Sequence, residues 1–391
     1  MKKSSFSANL LFVVTVFFWF SLYAYTSYVS PELERMGASA TFIGLVGSAY
    51  GFTQLLLRIP IGIMSDKWQK KFFICFGGFS SGLAALGMLI FYEYPLAFLI
   101  GRALSGVAAS AWVTFTILYS SYFKPEESTK SITMINVANQ IGRMLSFVFA
   151  GIFVAQFGTK SAFLVSAIGG FVAFIISLLV KEERRVAGKK PVRLPELLAV
   201  AKDRNLMITS ILAVCVQIVA FSTYFLFTAN YAKSIGAEQA QLSYMNVALL
   251  IPSTLVNYIV SKFLLQRIHA KWLVFIGFLC LSAYSFTVPF SNTMMQLYGL
   301  QFLAGIGNAL TLTLLMGLCV RDINPDRRSA AMGFFQAVYG MGMTIGPIIM
   351  GFLVDNWDLS VGFYAMSAIA LISAAACIMM FRGNNPSNAK A

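Results

Sequence analysis

The chain has 391 residues, of which 58% are hydrophobic and only 11% are charged. Soluble domains carry about 25% charged residues, so this composition excludes an ordinary soluble protein. One histidine, His269, and five cysteines without a C-x-x-C pair predict no metal site, no disulfide framework and no cofactor.

Apolar runs separated by charged residues or by glycine and proline predict twelve membrane-spanning helices. About 20 apolar residues cross a bilayer core of about 30 Å. In chain order the predicted spans are residues 9–30, 41–64, 72–92, 95–121, 131–156, 161–180, 206–232, 240–262, 272–290, 295–319, 330–354 and 360–381.

The positions of Lys and Arg predict the orientation in the membrane. If the first span begins in the cytoplasm, most of the 29 basic residues fall on cytoplasmic segments. The exceptions are Arg35, Lys160 and Lys233 on the outer side and Arg58, Arg102 and Arg143 within spans. This is the positive-inside pattern. It explains the net charge of +14 without nucleic acid and predicts cytoplasmic termini. The short loops favour a bacterial inner membrane.

The two halves of the chain repeat at an offset of about 200 residues. Gly142 and Gly151 match Gly342 and Gly351, and the sequence Arg102-x-x-x-Gly106 matches Gln301-x-x-x-Gly305. The repeat predicts an all-α membrane protein with a six-helix bundle in residues 1–180, a cytoplasmic linker in 181–204 and a second bundle in 205–391. Parallel repeats of this kind are typical of transporters, with a substrate site between the halves near the bilayer midplane.

Three motifs resemble those of one family. The run Gly62-Ile-Met-Ser-Asp66-Lys67-Trp68-Gln69-Lys70-Lys71 is similar to the loop 2–3 signature of the major facilitator superfamily, G-x-x-x-D-R-x-G-R-R, with Gln69 in place of a glycine. Arg102-Ala-Leu-Ser-Gly106 resembles the family's R-x-x-x-G motif in helix 4. Ser30-Pro31 and Met36-Gly37-Ala38, expected between spans 1 and 2, also resemble the family.

A fourth motif, Gly342-x-x-x-Gly346-Pro347-x-x-x-Gly351, resembles the family's antiporter motif, but it lies in helix 11 rather than helix 5. The helix 5 counterpart, Gly142 to Phe147, lacks the proline, so antiport is not carried over from it. The resemblance implies two bundles that rock in alternating access, with Gly62 allowing close helix approach. The residues predicted to act in gating or conformational change are Gly62, Asp66, Lys70, Lys71, Arg58, Arg102, Gly106, Gly346 and Pro347.

Charges within the spans are the most informative feature of the sequence. None of the 15 Asp and Glu residues falls in a predicted span interior, whereas Arg58, Arg102 and Arg143 do. Buried arginines stay protonated. A positive cavity favours an anionic or a strongly hydrogen-bonding neutral substrate and offers no obvious proton site.

Arg143 is the leading substrate-binding candidate. It lies about 18 Å from the start of its span, near the midplane, and shares a face with Asn136 and Asn139. The equivalent stripe in helix 11 includes Gln336. Either Arg143 contacts the substrate directly, or these residues form an interhelical hydrogen-bond network. For Arg58 and Arg102, the first interpretation is that they stabilise a gate, and the second is that they recognise the substrate.

The resemblance places helices 1, 4, 7 and 10 around the cavity. Polar and aromatic candidates on those helices are Tyr23, Tyr25, Gln217, Tyr224, Gln301 and Asn308. For each aromatic residue, simple packing is the alternative.

The sequence therefore predicts a monomeric secondary transporter, not an enzyme, that moves a small organic solute through the lipid bilayer. The solute is anionic or polar and neutral, and a proton or a counter-anion is the expected coupling ion. The alternative is a multidrug exporter of the drug:proton antiporter type, and a receptor built on a transporter fold is a third class. Transport across sealed liposomes separates the receptor from the transporters.

Overall fold

The computed structural model describes residues 2–124, 127–182, 200–321, 323–324 and 327–380. The first half contains α1 (Lys2–Tyr23), α2 (Thr26–Arg35), α3 (Ala40–Lys67), α4 (Lys70–Ile90), α5 (Pro95–Ser110), α6 (Trp112–Ser121), α7 (Ser128–Phe157) and α8 (Lys160–Ser177). The second half contains α9 (Arg204–Ser222), α10 (Thr228–Ser234), α11 (Gln239–Lys262), α12 (Ala270–Thr287), α13 (Met294–Asn308), α14 (Leu314–Arg321), α15 (Arg328–Asn356) and α16 (Leu359–Met380).

Twelve helical segments of the described chain are long and apolar enough to cross a membrane, which confirms the predicted number of spans. Spans 1, 4, 7 and 10 are each built from two helices: α1 with α2, α5 with α6, α9 with α10, and α13 with α14. One-turn π-helical segments, Thr223–Phe227 and Ala309–Thr313, interrupt spans 7 and 10. The predicted linker falls largely on residues 183–199, outside the described residues, so its bounds stay a prediction.

The first span is longer than the hydropathy pattern predicts. It continues as α2 to Arg35, so Ser30 and Pro31 lie inside a helix rather than in a loop. Glu32 is consequently a buried carboxylate within a helix, contrary to the sequence-based expectation. The charge is tolerated because Arg35 Nε lies 2.7 Å from Glu32 Oε2, so the two side chains form an ion pair.

The repeat is visible in the helix packing. A Cβ atom built on Gly106 would lie 2.2 Å from the carbonyl oxygen of Tyr50, and one built on Gly305 would lie 2.2 Å from that of Leu249. Tyr50 and Leu249 differ by the same offset as the two glycines. The fourth span therefore packs on the second as the tenth packs on the eighth, and each contact requires a residue without a side chain.

The two ends of the bundle differ in charge. We call the end where α3 is followed by α4 the basic face, and the end where α2 is followed by α3 the opposite face. On the basic face, the backbone N–H of Lys71 donates to Glu182 (3.0 Å) and the Lys71 ammonium to the carbonyl of Leu178 (2.7 Å). Lys70 lies 4.0 Å from Glu182. These contacts join α4 to the end of α8 within the first half.

On the opposite face, two basic residues that depart from the positive-inside pattern have acidic partners. Glu93 lies 3.3 Å from both Arg35 and Lys160. Hydrogen bonds from these two cations hold the pKa of the Glu93 carboxyl below its usual range. These ion pairs link the end of α2, the loop after α4 and the start of α8 at this face.

Gly62 does not bring two helices together in this structure, contrary to the expectation from its motif. A Cβ atom at Gly62 would meet nothing within 4 Å. The described contacts between the two halves lie earlier in α3 than Gly62, nearer the opposite face.

Two glycines of α13 provide a matched test of the repeat packing. Gly299→Ala adds its Cβ to open space, so we expect no loss of stability and a small gain from helix propensity. Gly305→Ala forces the Cβ against a backbone carbonyl and should lower the free energy of unfolding by about 1–3 kcal/mol. The measurement is the thermal unfolding midpoint of detergent-purified protein. Equal midpoints for the two variants would contradict the close contact.

Candidate functional site

A small cavity, of about 30 Å³, lies between the two halves of the chain. The first half contributes Leu22, Tyr23, Thr26, Gly47, Tyr50 and Arg102, and the second half contributes Phe221, Phe225 and Leu226. Its lining comes from spans 1, 2, 4 and 7. Of the predicted substrate-binding residues, only Tyr23 belongs to this lining; Arg102, predicted to act in gating, belongs to it as well.

The cavity sits where two equivalent spans are interrupted. Span 1 breaks between Tyr23 and Thr26, and span 7 carries the π-helical segment Thr223–Phe227. Leu22 and Thr26 correspond in the repeat to Phe221 and Phe225, so the two interruptions face each other across the cavity. Interrupted helices near the midplane between repeats are a frequent site of substrate and ion binding, and π-helical turns are often functional.

Two arginines of the first half approach the cavity with aromatic rings as their nearest partners. The guanidinium carbon of Arg102 lies 4.7 Å from the centre of the Tyr50 ring. That of Arg143 lies 4.4 Å from the centre of the Tyr23 ring and 5.8 Å from that of Phe225. All three distances are within the range of cation–π attraction. Arg143 thus touches two of the rings that line the cavity.

Arg58 lies deeper along α3, towards the basic face. It is buried, and its guanidinium contacts the Tyr339 hydroxyl of α15 at 3.5 Å. Tyr339 is one residue of the helix 11 stripe. Arg58 therefore bridges the two halves below the cavity.

The charges of these arginines are not neutralised by carboxylates. None of the ion pairs found in the described residues includes Arg58, Arg102 or Arg143. The Nε atoms of Arg58 and Arg143 are buried and have no hydrogen-bond partner among the residues that the structure describes. The site combines permanent positive charge, aromatic faces and unsatisfied N–H donors.

Several predicted site residues lie outside the cavity lining. Tyr25 is fully buried in the first bundle, where its hydroxyl bonds Ser105 (2.6 Å) and its ring stacks on Phe163. Tyr224 donates to Asn308 (3.2 Å) inside the second bundle. Tyr25 follows Tyr23 by two residues, about 200° around a helix, so its side chain faces the bundle while that of Tyr23 faces the cavity.

Gln301 and Gln217 are buried within the second bundle. Both side-chain polar atoms of Gln301 lack a hydrogen-bond partner. The Cβ atom of Gln217 lies 3.0 Å from a Cβ built on Gly342, at the contact between α9 and α15. Neither residue lines the cavity.

The remaining candidates lie nearer the basic face. Asn136 is exposed and donates to the carbonyl of Ile132 in its own helix (2.9 Å), while Asn139 and Gln336 are half-buried. Asp66 ends α3, but its side chain falls outside the described residues.

Close helix packing between the halves covers the cavity on the side of the opposite face. On that side, a Cβ built on Gly44 would lie 2.2 Å from the carbonyl oxygen of Pro347. Level with the cavity, one residue after Tyr50, a Cβ built on Gly51 would lie 3.1 Å from the carbonyl oxygen of Met343. Because proline has no N–H, Pro347 leaves the Met343 carbonyl without its usual helical partner. Gly346 packs against Ile218 of α9. The glycine and proline motif of α15 therefore serves the contacts among α3, α9 and α15.

Polar contacts complete this closure at the opposite face. The Asn230 amide donates to Glu34 (2.6 Å), and the Ser30 hydroxyl donates to the Asn230 carbonyl oxygen. The two carboxylate oxygens of Asp355 accept the backbone N–H groups of Ala40 and Thr41, each at 2.7 Å. Asp355 thus caps the N-terminus of α3 from the other half of the molecule.

Sequence reasoning missed most of the aromatic wall and all of the polar contacts between halves. Phe221, Phe225 and Tyr50 were not distinguished from lipid-facing aromatics. Phe225 lies in the π-helical segment of span 7, whereas Phe221 and Tyr50 lie in regular helices and are singled out only by their contact across the halves. Asp355 had one usable signal. It is an acidic residue near the end of a span on the side where acidic and basic residues are otherwise few.

Twelve spans in two parallel repeats, with a cavity between the halves, define a membrane transporter architecture. The sequence profile of the Major Facilitator Superfamily matches residues 11–251 and 209–391. The chain belongs to this superfamily. An uncharacterized MFS-type transporter of Methanocaldococcus jannaschii is 26% identical over 351 residues, which are 86% of this chain and 88% of the relative.

Solved structures show the same fold. A mutant of the nucleoside transporter NupG superposes with a TM-score of 0.81 at 16% identity, over 96% of this chain and 100% of that protein. A bacterial homolog of the human lysosomal transporter Spinster, in an inward-facing and unoccupied conformation, also gives 0.81, at 14% identity over 97% of each chain. At these identities the likeness extends to the fold alone.

Asp355 accepts hydrogen bonds from the other half of the molecule, and this contact can be tested by substitution. Asp358, three residues further along the chain, is the control, because it accepts the N–H of Val361 within its own half (2.8 Å). We expect Asp355→Asn to widen the opposite face and Asp358→Asn to leave it unchanged. The width is measured as the distance between spin labels on the exposed positions Tyr94 and Met295, with the native cysteines replaced. The same distance distribution in both variants would show that the cap does not hold the halves together.

Proposed function

We propose that this protein is a secondary active transporter that moves a small organic solute by alternating access, with an organic anion as the preferred solute and a polar neutral molecule as the second choice. The observation that carries the proposal is a set of three arginines near the interface of the two halves, Arg58 and Arg102 buried and Arg143 half-buried, without a carboxylate partner in the described residues.

The energies of these arginines favour an anionic ligand. Removing a cation from water costs several kcal/mol even after the protein relaxes. A cation–π contact returns about 0.5–2 kcal/mol. The rings beside Arg102 and Arg143 therefore offset only part of the cost, and an anion in the cavity would offset the rest through charge-assisted hydrogen bonds.

Alternating access is supported by where the two halves touch. The described contacts between them run from Asp355 at the opposite face to the Arg58–Tyr339 pair. Nearer the basic face, Asn136 is exposed and Gln336 is half-buried. We interpret this as a state closed at the opposite face and open at the basic face. The positive-inside rule makes the basic face cytoplasmic, in an inner membrane by our interpretation.

The drug:proton antiporter alternative has less support. Carriers of lipophilic cations usually require a carboxylate in the cavity. The one carboxylate of α2 that is buried, Glu32, is paired with Arg35 and lies at the opposite face rather than in the cavity lining. No observation in the described residues favours a cationic substrate over an anionic one.

The first experiment is a thermal-shift screen of detergent-purified protein against anionic, neutral and cationic small molecules, followed by uptake into sealed liposomes. A ligand at 100 times its dissociation constant stabilises by about 2.7 kcal/mol. We expect organic anions to raise the unfolding midpoint of the wild type but not that of Arg143→Gln. Arg267→Gln, an exposed arginine on the basic face, is the control and should behave as wild type.

Two outcomes would contradict the proposal. Stabilisation by lipophilic cations that survives in Arg143→Gln would favour the drug exporter. Binding without uptake into liposomes would favour a receptor on a transporter fold.

A second prediction concerns the motif that ends α3. Asp66 lies at the basic face, far from the cavity, so we expect Asp66→Asn to slow uptake severalfold while ligand affinity stays within about twofold. The matched control is Asp203→Asn, which removes a charge at the same face without touching the motif, while the Asn amide oxygen can still accept the N–H of Leu206 that caps α9. Equal loss of affinity and uptake in Asp66→Asn would exclude a purely conformational role.

A further inference from the structure

The positive charge of the cavity region belongs to one half of the molecule only. The repeat counterparts of Arg58, Arg102 and Arg143 are Asn257, Gln301 and Met343. The contacts of Gly106 and Gly305 fix this register in the structure. Two bundles with the same fold therefore present different chemistry at equivalent positions, cationic in the first and uncharged in the second.

The second half supplies an apolar wall instead. Its contributions to the cavity are Phe221, Phe225 and Leu226, none of which carries a hydrogen-bonding side chain. The rings of Phe221 and Phe225 lie 5.3 Å apart. The cavity, of about 30 Å³, admits an organic solute only as the halves separate. Such a solute would meet Arg102 with Tyr23 and Tyr50 on the first half and only apolar side chains on the second.

Each arginine is connected to this wall through a ring. Tyr50, which lies beneath Arg102, stacks on Phe221 with centroids 6.2 Å apart and planes 13° from parallel. Arg143 lies over Tyr23 and also within 5.8 Å of the Phe225 centroid. The guanidinium carbons thus lie within cation–π distance of rings at the contact between the halves, an arrangement that a planar ring carrying an anionic group could join or replace.

We infer that the substrate is an aromatic organic anion, a ring that carries a carboxylate, sulfonate or phosphate group; this inference rests on the transport function proposed above. The anionic group binds Arg102 and Arg143 of the first bundle, and the ring lies against Phe221 and Phe225 of the second. A sugar or another polyhydroxy solute fits this wall poorly, because its hydroxyl groups would be buried without partners.

The asymmetry also assigns different roles to the two bundles during transport. Charge-assisted hydrogen bonds are directional, so the anion stays with the first bundle as the halves rock. Contacts between rings and aliphatic groups are much less directional, so the second bundle can move across the ring without losing a specific bond. The specificity for charge and the specificity for shape thus reside in separate bundles.

The test measures binding of a defined probe set to purified protein by thermal shift and calorimetry. The aromatic anions are benzoate, benzenesulfonate, phenyl phosphate and 1-naphthoate. Benzamide removes the charge, cyclohexanecarboxylate removes the aromatic ring, and acetate and inorganic phosphate remove the apolar body. We expect at least one aromatic anion to bind tighter than all four of these comparison compounds.

Variants of the two walls should then separate the contributions. Arg102→Gln and Arg143→Gln should each weaken the best aromatic anion by at least tenfold, with Arg267→Gln as the control. Phe225→Leu should weaken it about three- to tenfold and reduce its advantage over cyclohexanecarboxylate. Phe302→Leu, an exposed phenylalanine of the second bundle, should change neither.

The outcomes distinguish this inference from the proposed function. If aliphatic anions bind as tightly as the aromatic ones and still require Arg143, the transporter proposal stands and the aromatic substrate class is wrong. If none of the aromatic anions binds while cations do, both are wrong. If an aromatic anion binds but Phe225→Leu leaves its affinity unchanged, the ring does not lie on the second bundle and the assignment of roles fails.

Discussion

A guanidinium group inside a membrane-spanning bundle must find partners for its charge, and this requirement governs the centre of the molecule. Arg58 is bonded to Tyr339 across the halves, while Arg102 and Arg143 face aromatic rings. Rings are weaker partners than carboxylates, so the charges remain available to a ligand. A carboxylate in their place would have neutralised the site and left it without a preference for anions.

The helix interruptions explain how aromatic side chains reach these arginines. A continuous first span would carry Tyr23 and Tyr25 on different faces at fixed angles. The break after Tyr23 keeps this separation: Tyr23 lines the cavity, and Tyr25 lies in the bundle, where its hydroxyl and that of Ser105 form a hydrogen bond. The π-helical segment of span 7 brings Phe225 and Leu226 onto the same cavity. The geometry of the site thus depends on local departures from α-helical geometry.

Such departures mark the limit of what could be predicted from the sequence. Apolar runs and the repeat gave the number and order of spans, because length and hydropathy are properties of each segment alone. The central position of Arg143 followed from the same arithmetic, and its neighbour Tyr23 from the family resemblance. Phe225 could not be singled out among many aromatics, because no residue pattern predicts a π-helical turn. Phe221 and Tyr50 could not be singled out because their stacking joins two distant parts of the chain. The hydropathy pattern also missed that span 1 continues through Pro31. The charges of Glu32 and Arg35 lower the hydropathy of this segment, although their ion pair stabilises the helix.

The contacts at the opposite face have strengths suited to a reversible closure. Hydrogen bonds to charged groups contribute about 1.5–3 kcal/mol each when well formed, and less at exposed positions. The bonds of Glu34 and Asp355 lie on exposed residues, so their combined effect is modest. Moving a two-state equilibrium from 1:99 to 99:1 takes about 5.5 kcal/mol of differential binding. A substrate that joins the cationic wall of one bundle to the aromatic wall of the other can supply energy of this order. In the proposed transport cycle, the weak polar contacts at the opposite face are therefore of a size that substrate binding to the central charges can overcome.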